Sequence, residues 1–518
     1  FLHKHECAAC PLNNQAGLVH PHMEPTGAVR PLAYFLGEAP GADEDRKGEQ
    51  FVGQAGRILR RYISASWLPK IRFNNVARTR PPENRTPHWV EVEACRPSIV
   101  RDIEASGPAA IVGFGNIPLS WAGVAGSGIT LWSGRRVPVL VGGLPRWFFP
   151  VLHPSAVQRD PRWRGLQRSP DRYGSEIEFQ FAVHLRRALA AIETELPEPA
   201  VHSAEDALRE IEWVTGAGGQ SDVDRVVDFL RRAARRKVAG VDYETNALRP
   251  YGNGTKILTV AVSTRQDGAL AFPFDHREAG WSKKQRVEVV AAWHKFLYQA
   301  ECRKVAHNLA FEMEWSAHFY GKDCLRAGRW GDSMAQAYVL DERPGAHSLE
   351  FLCIQYFGIN IKKLAGVKRD ALDAEPLPRV LRYNGMDSKY HRLLYAAQTE
   401  ALRRDGLARL YVEHLERVPT AVLTQARGVP INQAAALALG KKYVPRMIEA
   451  ERAMRALPAV KKFERARGQK FRPSANEDVK AVLHGLGCHI DNVDEGALEG
   501  VDHALAREEV KWRKAAKV

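Results

Sequence analysis

Short apolar runs alternate with amphipathic stretches from Pro31 to about Ala191. The runs include "LAYFLGEAP", "AAIVGFG", "VPVLVGG" and "WFFPVLHPS", and the amphipathic stretches include "QAGRILRRYISASWL" and "VEACRPSIVRDIEAS". Short runs of this kind are typical of buried strands, whereas the longer periodic stretches are typical of helices. The alternation predicts an α/β/α sandwich over residues 1–195, with a mostly parallel sheet and functional groups at the carboxyl ends of its strands.

The pattern changes after this region. "ETELPEPAVHS" is proline-rich and aperiodic, so we assign residues 196–236 to a linker followed by the basic helix "DVDRVVDFLRRAARRK". A solvated face explains the arginines of this helix more simply than DNA contact does. From 237 to 402 the β-rich stretches "VAGVDYETNAL" and "ILTVAVSTRQDGALAFPF" precede mainly helical sequence, which predicts a second α/β domain.

Residues 403–518 have helical periodicity almost throughout. "LARLYVEHLERVPTAVLTQARG" ends at Gly428, a common helix stop, and "INQAAALALGKKYVPRMIEAERAMRAL" follows. A helical arm without a compact core is one interpretation of this part.

Charge narrows the choice of partner. Lys and Arg number 75 against 60 Asp and Glu, a net charge of +15, which favours a polyanion, nucleic acid ahead of a membrane surface. The sequence contains no long apolar span or signal-peptide core, so we expect a cytoplasmic protein. The cysteines number seven, and an odd count in such a chain argues against a disulfide framework.

Two neighbouring glycine-rich segments, "GEAPGADED" and "GEQFVGQAG", form the first candidate site. Glycine lets backbone approach a ligand closely, although tight turns explain either segment alone. "NNVARTRPPENR" adds an amide beside arginines, and "VLHPS" adds a histidine at the end of an apolar run. Together and in this order, these motifs resemble the family 4 uracil-DNA glycosylases, the iron–sulfur type, over roughly residues 5–190.

Such enzymes take a base out of the stack and hold it by ring stacking and hydrogen bonds. The resemblance implies that Phe51 stacks on uracil and that Asn75 reads the pyrimidine edge with its amide. It implies that His153 stabilises the departing uracil anion. Glu38 and Glu44 would orient water, stabilise the cationic sugar or exclude the thymine methyl group. The alternative is a non-catalytic module that grips DNA with the same fold.

The same resemblance implies a [4Fe-4S] cluster on four cysteines. Cys7 and Cys10 in "HECAACPL" and Cys95 in "VEACRPS" match three of the four, but the remaining position is Thr79. A hydroxyl is a poor ligand for iron compared with thiolate. The cluster is therefore absent, bound by three cysteines, or completed by a nearby side chain, with zinc as the second choice of metal. The histidines considered for that position are His3, His5, His20 and His22.

Carboxylates from separated segments form the second candidate site. "VDYETNAL" places Asp242 and Glu244 two residues apart on a predicted strand, so both project from one face. "KVAHNLAFEMEW" predicts a helix that carries Asn308 and Glu312. Salt bridges at the surface would explain the carboxylates of any one segment. The presence of all these acidic segments in one region would then be a coincidence.

In "RYNGMDSKYHRLL", Tyr383 and Asp387 lie one helical turn apart. The three segments resemble the DEDDy 3′-to-5′ exonucleases, specifically the ribonuclease H-like proofreading domain of family A DNA polymerases, over residues 237–402. The resemblance implies that Asp387, with the pair on the strand, binds two Mg²⁺ or Mn²⁺ ions, and that Tyr383 positions the attacking water.

This site also departs from the family pattern. The usual aspartate of the second motif is Glu312, one methylene longer, and Mg²⁺ demands near-ideal octahedral geometry. We therefore expect reduced or intact activity, not loss. Asn308, in the same motif, is expected to contact the DNA substrate.

The helical part after residue 403 resembles the start of the thumb of family A polymerases. The aspartate motifs of the palm and the lysine helix of the fingers are missing from the sequence, so we expect no polymerisation by this chain. We interpret it as the N-terminal portion of a phage-like or bacterial polymerase. Its expected partners are DNA, as single strand or primer terminus, and the palm and fingers region or replication proteins. A scaffold for a separately encoded polymerase is the remaining alternative.

Overall fold

The computed structural model describes residues 7–8, 10–124, 126–162, 173–194, 196–299, 301–327, 329–368 and 371–517. They divide into one unit that extends to Ala426 and a second that begins at Arg427. The first unit contains two six-stranded sheets, each at the centre of its own domain. Within the described ranges, no helix is both long and apolar enough to cross a membrane.

The first domain has the strand order β1-β3-β2-β4-β6-β5, in which β3, β2, β4 and β6 are parallel. Its strands are β1 (Thr26–Gly27), β2 (Ala33–Gly37), β3 (Ile71–Asn75), β4 (Ala110–Phe114), β5 (Val137–Val141) and β6 (Leu144–Val151). Its helices are α1 (Ala42–Lys47), α2 (Gln54–Arg61), α3 (Trp89–Ser106), α4 (Asn116–Trp121), α5 (Ile129–Trp132), α6 (Pro154–Arg159) and α7 (Glu176–Glu193). Helices cover both faces of a parallel sheet, which explains the nearly continuous apolar runs of β2 and β4. The predicted α/β class is confirmed.

The second domain has a mixed sheet of order β12-β11-β8-β9-β10-β7. Its strands are β7 (Ile211–Trp213), β8 (Val238–Thr245), β9 (Ile257–Thr264), β10 (Gly268–Pro273), β11 (Arg303–Ala306) and β12 (Arg329–Asp332). Strand β8 pairs antiparallel with β9 and parallel with β11, so it lies inside the sheet. The segment 196–236 contains α8 (Ala204–Leu208), β7 and α9 (Gln220–Ala234). The apolar face of α9 joins the core of this domain.

The remaining helices of the first unit cover this sheet and extend beyond it. They are α10 (Lys283–Leu297), α11 (Ala310–Tyr320), α12 (Cys324–Ala327), α13 (Ser333–Leu340), α14 (Leu349–Phe357), α15 (Ile361–Ala365), α16 (Leu377–Arg404), α17 (Ala408–Leu415) and α18 (Val418–Arg427). Helix α16 is 28 residues long and packs across β8, β9 and β10. Its position decides which of its residues face the end of β8.

The two domains of the first unit share an interface. The ring of Trp132 stacks on Phe351 of α14 with centroids 4.0 Å apart and planes at 22°. The guanidinium of Arg135 lies 2.7 Å from Oδ2 of Asp341, and Arg343 donates to the carbonyl oxygen of Ser133 at 2.8 Å. Buried residues of both domains accordingly belong to one continuous apolar cluster.

The second unit consists of helices with a core of their own. They are α19 (Gln433–Ala456), α20 (Pro458–Arg467), α21 (Asn476–Gly485), α22 (Glu495–Glu499) and α23 (Ala504–Ala516). Met454, Phe471, Val479, Leu483 and Leu505 are among the residues buried together. The predicted helical character is confirmed, but the interpretation as an arm without a core is wrong. Apolar positions on separate helices meet only after the turns fold the helices together.

Candidate active sites

Three carboxylates converge in the second domain. Strand β8 projects Asp242 and Glu244 from one face, and α16 brings Asp387 against the same place. One carboxylate oxygen from each residue lies within 4.8 Å of the others. Glu244 and Asp387 are buried and Asp242 nearly so. Three buried carboxylates at this separation repel one another unless a cation joins them.

Glu312 extends this acidic cluster from the first turn of α11 and is only 3% exposed. Burial, and then Asp242, raises its pKa well above the usual range. Burial, and then Asp387, likewise raises the pKa of Asp242. Among the described atoms, Oε2 of Glu312 and Oδ1 of Asp387 are buried and have no hydrogen-bond partner. Buried, unpartnered carboxylate oxygens are suited to Mg²⁺ or Mn²⁺, which prefer oxygen ligands.

Tyr383 lies on α16 one turn before Asp387 and is 4% exposed. Its phenolic oxygen accepts a hydrogen bond from Nζ of Lys362 at 2.5 Å. The structure thus brings together four residues expected at this site from the sequence: Asp242, Glu244, Tyr383 and Asp387. A fifth, Glu312, is coupled to them through its charge.

Asn308, the expected DNA contact, lies two residues before the start of α11 and is exposed. Its φ of 70° is unusual for a residue other than glycine. Asp332 holds this conformation, because Oδ1 accepts from the amide of Asn308 at 3.2 Å and Oδ2 from that of Leu309 at 3.1 Å. The side chain of Asn308 lies on the surface, four positions before Glu312 in the sequence.

Asn384 was not expected at this site from the sequence, although it lies inside the motif that contains Tyr383. Its Nδ2 donates to Oδ2 of Asp242 at 2.6 Å, and its Oδ1 accepts from the hydroxyl of Thr259 at 3.1 Å. Asn384 is fully buried. A hydrogen bond of this kind fixes the orientation of a metal-binding carboxylate. The signal available in the sequence was its place one position after the tyrosine.

In the first domain, a cavity of about 390 Å³ lies at the carboxyl ends of the strands. Its lining includes Glu44, Phe51, Asn75 and His153, all expected at this site from the sequence. Asn75 ends β3, and His153 lies just after the end of β6. Parallel strands bring such residues to one edge of a sheet, which is why distant motifs meet here.

Phe51 has a φ of 55°, a strained conformation for a bulky residue. Arg60 Nε donates to the Phe51 carbonyl oxygen at 3.1 Å, and a Cβ at Gly56 would lie 2.0 Å from that oxygen. A Cβ at Gly37 would lie 2.2 Å from Oδ1 of Asn75 and 2.6 Å from the Phe51 ring. Gly56 thus leaves room for the backbone of Phe51, and Gly37 leaves room for the Phe51 ring and the Asn75 amide to meet at the cavity.

His153 caps the N-terminus of α6, because its Nδ1 accepts from the amide of Ser155 at 3.2 Å. Burial, and then Arg159, lowers the pKa of His153 to about 4, so the ring is neutral at pH 7 and carries its proton on Nε2. A neutral imidazole still donates a hydrogen bond, through the N–H at its Nε2. The amide of Asn75 is fixed as well, since its Nδ2 donates to Oε1 of Gln50 at 2.6 Å.

The two acidic candidates of this site differ in their surroundings. Glu44 accepts from the amide of Gly53 at 2.7 Å and from that of Gly41 at 3.2 Å, so it ties the two glycine-rich segments together. Glu38 lies just after the end of β2, where burial raises its pKa while a hydrogen bond from Thr86 opposes the rise. Glu44 therefore braces the loops around the cavity.

The cysteines lie near Thr79, but these four residues do not supply a complete set of metal ligands. Burial, with smaller contributions from the nearby thiols of Cys10 and Cys7, raises the pKa of Cys95 to about 11. The hydroxyl of Thr79 donates to the Pro21 carbonyl oxygen at 2.6 Å. It also lies 3.4 Å from Nδ1 of His22.

A hydroxyl engaged in this way is not an iron ligand, so the donors present do not supply four thiolates. Among the described residues, the sulfur atoms of the three cysteines do not all lie within 4.8 Å of one another, the spacing expected around a single ion such as zinc. A four-iron cluster does not require that spacing, because each of its cysteines binds a different iron. His3 and His5 lie outside the described residues.

Comparisons with known proteins give a family match for each of the two domains that contain these sites. Residues 25–171 match the model of the uracil DNA glycosylase superfamily, and residues 220–402 match that of the 3′-5′ exonuclease family. A type-4 uracil-DNA glycosylase of Pyrobaculum aerophilum is 32% identical over 172 residues, with 31% of this chain and 83% of that protein covered.

Two phage proteins align over a longer stretch. The DNA polymerases of Bacillus phage SP01 and Escherichia phage T5 are each 22% identical, over 57% and 62% of this chain. The chain spans 31% and 41% of the length of those two polymerases.

These findings define a DNA-processing protein with a glycosylase-like domain ahead of a 3′-5′ exonuclease domain, homologous to phage DNA polymerases. Through its N-terminal domain, the chain belongs to the type-4 uracil-DNA glycosylase family. Both resemblances expected from the sequence are confirmed.

Proposed function

We propose that the second domain removes nucleotides from DNA 3′ ends by metal-assisted hydrolysis, with Asp242, Glu244 and Asp387 as ligands of divalent cations. The convergence of their oxygens within 4.8 Å carries this proposal. Two Mg²⁺ or Mn²⁺ ions would supply an activated water and stabilise charge on the attacking and leaving oxygens. Glu312 would reach the second ion with its longer side chain.

Other side chains of the domain position the water, a metal ligand and the DNA strand. The Tyr383 hydroxyl orients the water whose oxygen attacks the terminal phosphorus, while the bond to the 3′ oxygen breaks and a nucleoside 5′-monophosphate leaves. Asn384 holds Asp242 in position for its ion. Asn308 contacts the strand that enters the site.

A trimming assay tests this proposal. A 5′-labelled single strand is incubated with Mg²⁺, and wild-type protein should produce a ladder of shortened products. Asp242→Ala should abolish the ladder, whereas Asp224→Ala, which changes an exposed aspartate on α9, should leave it intact. Undiminished trimming by Asp242→Ala would refute the assigned site.

For the first domain, we propose that uracil is turned out of the DNA stack into the cavity of about 390 Å³ and excised. Phe51 would stack on the base, Asn75 would hydrogen-bond its edge, and neutral His153 would donate to the oxygen on which negative charge develops. The observation that supports this is the meeting of these three side chains at one cavity.

Alkali treatment distinguishes excision from binding. Strand scission of a uracil-containing single strand after incubation and alkali would demonstrate excision, and His153→Ala should remove it. Retention of uracil DNA in a mobility-shift assay without scission would favour the non-catalytic binding module. Phe51→Ala should weaken that binding while leaving binding to uracil-free DNA unchanged.

We further propose that Cys7, Cys10 and Cys95 hold an iron–sulfur cluster, with zinc as the alternative metal. The family relationship and the mutual influence of the three thiols on their pKa values support this. Thr79 is not a suitable fourth ligand, and the position of His22 beside it makes that imidazole the candidate we favour among the described histidines.

The biological setting is inferred from the phage relatives. We propose that the chain acts in DNA replication, in the cytoplasm of the host cell where the gene is phage-encoded. The unit from Arg427 would correspond to the start of a polymerase thumb, and the palm and fingers region or replication proteins would be its partners. A scaffold role without catalysis is the outcome if both assays above are negative.

A further inference from the structure

Lys362 contacts two functional groups of the exonuclease site at once. Its Nζ lies 2.5 Å from Oδ2 of Asp387 and 2.5 Å from the Tyr383 hydroxyl. The ammonium also lies 4.5 Å from the centre of the Tyr383 ring. The lysine side chain is 15% exposed, so these contacts are sheltered from water.

The local fold holds this lysine in place. Helix α15 is five residues long, and Asn360 caps it by accepting from the amide of Lys363 at 2.9 Å. The Asn360 amide group also donates to Oε1 of Glu350 on α14 at 2.7 Å. Because α15 is tied to the longer α14, Lys362 is directed at the site while its neighbour Lys363 is exposed.

The two oxygens of the Asp387 carboxylate have different surroundings. Oδ2 accepts from Lys362, whereas Oδ1 is buried and has no hydrogen-bond partner among the described atoms. One oxygen is therefore fixed by the lysine while the other stays available to a cation. The same ammonium also orients the phenolic oxygen of Tyr383.

We infer that Lys362 is a positioning residue of the exonuclease, which locks the metal ligand Asp387 and the water-orienting Tyr383 into one arrangement. The inference rests on the exonuclease site proposed above. It has a second consequence, because a fixed positive charge beside the carboxylates repels the incoming divalent cation. Lys362 should thus raise turnover and weaken metal binding, two effects of opposite sign.

This pair of effects separates positioning from simple packing. If Lys362 only held α15 in place, its loss would let the carboxylates drift and would weaken metal binding. If it positions the site through its charge, its loss should tighten metal binding while turnover falls. A single substitution therefore gives different results under the two explanations.

The experiment compares Lys362→Met with Lys362→Arg, and uses Lys363→Met as the matched surface control. Mn²⁺ binding is measured directly by titration without DNA, and turnover is measured by 3′ trimming at saturating metal. We expect Lys362→Met to bind Mn²⁺ at least threefold more tightly and to turn over at least tenfold more slowly. Lys362→Arg should keep wild-type Mn²⁺ affinity with intermediate turnover, and Lys363→Met should match wild type in both.

Weaker or unchanged Mn²⁺ binding in Lys362→Met, or unchanged turnover, would overturn the inference. Thermal melting checks that each variant is folded, and Lys362→Gln provides a second uncharged variant if the methionine protein does not fold. Failure of the underlying site is recognised separately. If Asp242→Ala still trims DNA, the proposed exonuclease site itself is refuted. If Asp242→Ala loses trimming while Lys362→Met behaves like wild type, only the role inferred for Lys362 is refuted.

Discussion

The side-chain amide of Asn384 donates to Oδ2 of Asp242 at 2.6 Å, while Thr259 donates to the amide oxygen at 3.1 Å. The Asp242 carboxylate of the candidate metal site is therefore oriented by a buried residue on α16, which is itself hydrogen-bonded to β9. Hydrogen bonds therefore join α16 to β8 and β9 at the point where the carboxylates converge.

Asn384→Ala should lower trimming about 10- to 100-fold, the usual effect of removing a partner that orients a metal ligand. The difference in trimming rate between the variant and wild type should become smaller as the Mn²⁺ concentration is raised. The reason is that the substitution removes only the residue that orients Asp242, while Asp242 itself remains. Rates measured across a Mn²⁺ titration check this. A variant with the wild-type rate at every concentration would show that Asp242 needs no such support.

Arg135→Ala should destabilise the interface between the two domains of the first unit by about 2 kcal/mol. The substitution leaves the partly buried Asp341 without one of its partners and removes the guanidinium over the Phe351 ring. Asp341 keeps Arg343, which limits the loss. Denaturant unfolding measures the change, with Arg30→Ala, at an exposed position of the same domain, as the control. Equal stability of the two variants would contradict the prediction.

Three sheltered histidines should make stability depend on pH. Burial lowers the pKa of His153 and His184 to about 4 and that of His307 to about 3, against about 6.5 in the unfolded chain. Since the unfolded state binds more protons in this interval, the free energy of unfolding should fall as pH falls from about 6.5 towards 4.

Each such histidine contributes at most about 1.4 kcal/mol per pH unit to this slope. Denaturant unfolding at pH 5 and pH 7 measures it, and His184→Gln should make the difference between the two pH values smaller. His184 is chosen because it lies outside both candidate sites and contacts Ser133. An unchanged difference in the variant would mean that His184 is not neutral in the folded protein.

Thr79→Cys should increase the iron and sulfide content of protein prepared without oxygen, because a thiolate replaces a hydroxyl at the fourth position. The absorbance of the protein at about 400 nm should increase as well. His22→Ala should reduce both quantities in the wild-type background and have little effect in the Thr79→Cys background. Iron and zinc analysis of the four proteins tests this. Equal iron content in wild type and His22→Ala would exclude that histidine as a ligand.

Several features of the sites followed from local sequence. The alternation of β8 puts Asp242 and Glu244 on one face wherever that strand lies, and a helical turn keeps Tyr383 beside Asp387. These are short-range consequences of backbone geometry, so the pattern was sufficient. Asn75 at the end of its strand and His153 just beyond the end of another belong to the same class.

Other features needed contacts between distant segments. The role of Glu44 as a brace depends on the amide of Gly53, which only the folded loop brings to it. The compact core of the second unit depends on how its turns stack amphipathic helices, which periodicity does not specify. The expected sandwich and exonuclease folds were predictable because each has a characteristic order of strands and helices.

The sequence by itself determined the strands, the helices and the identities of the acidic and aromatic groups, because local periodicity and residue chemistry are written along the chain. Only the tertiary structure decided that Lys362, from a five-residue helix, lies between Asp387 and Tyr383, and that Asn384 orients Asp242. Those relationships depend on how sheet and helices pack, and packing is a property of the whole domain that no single segment contains.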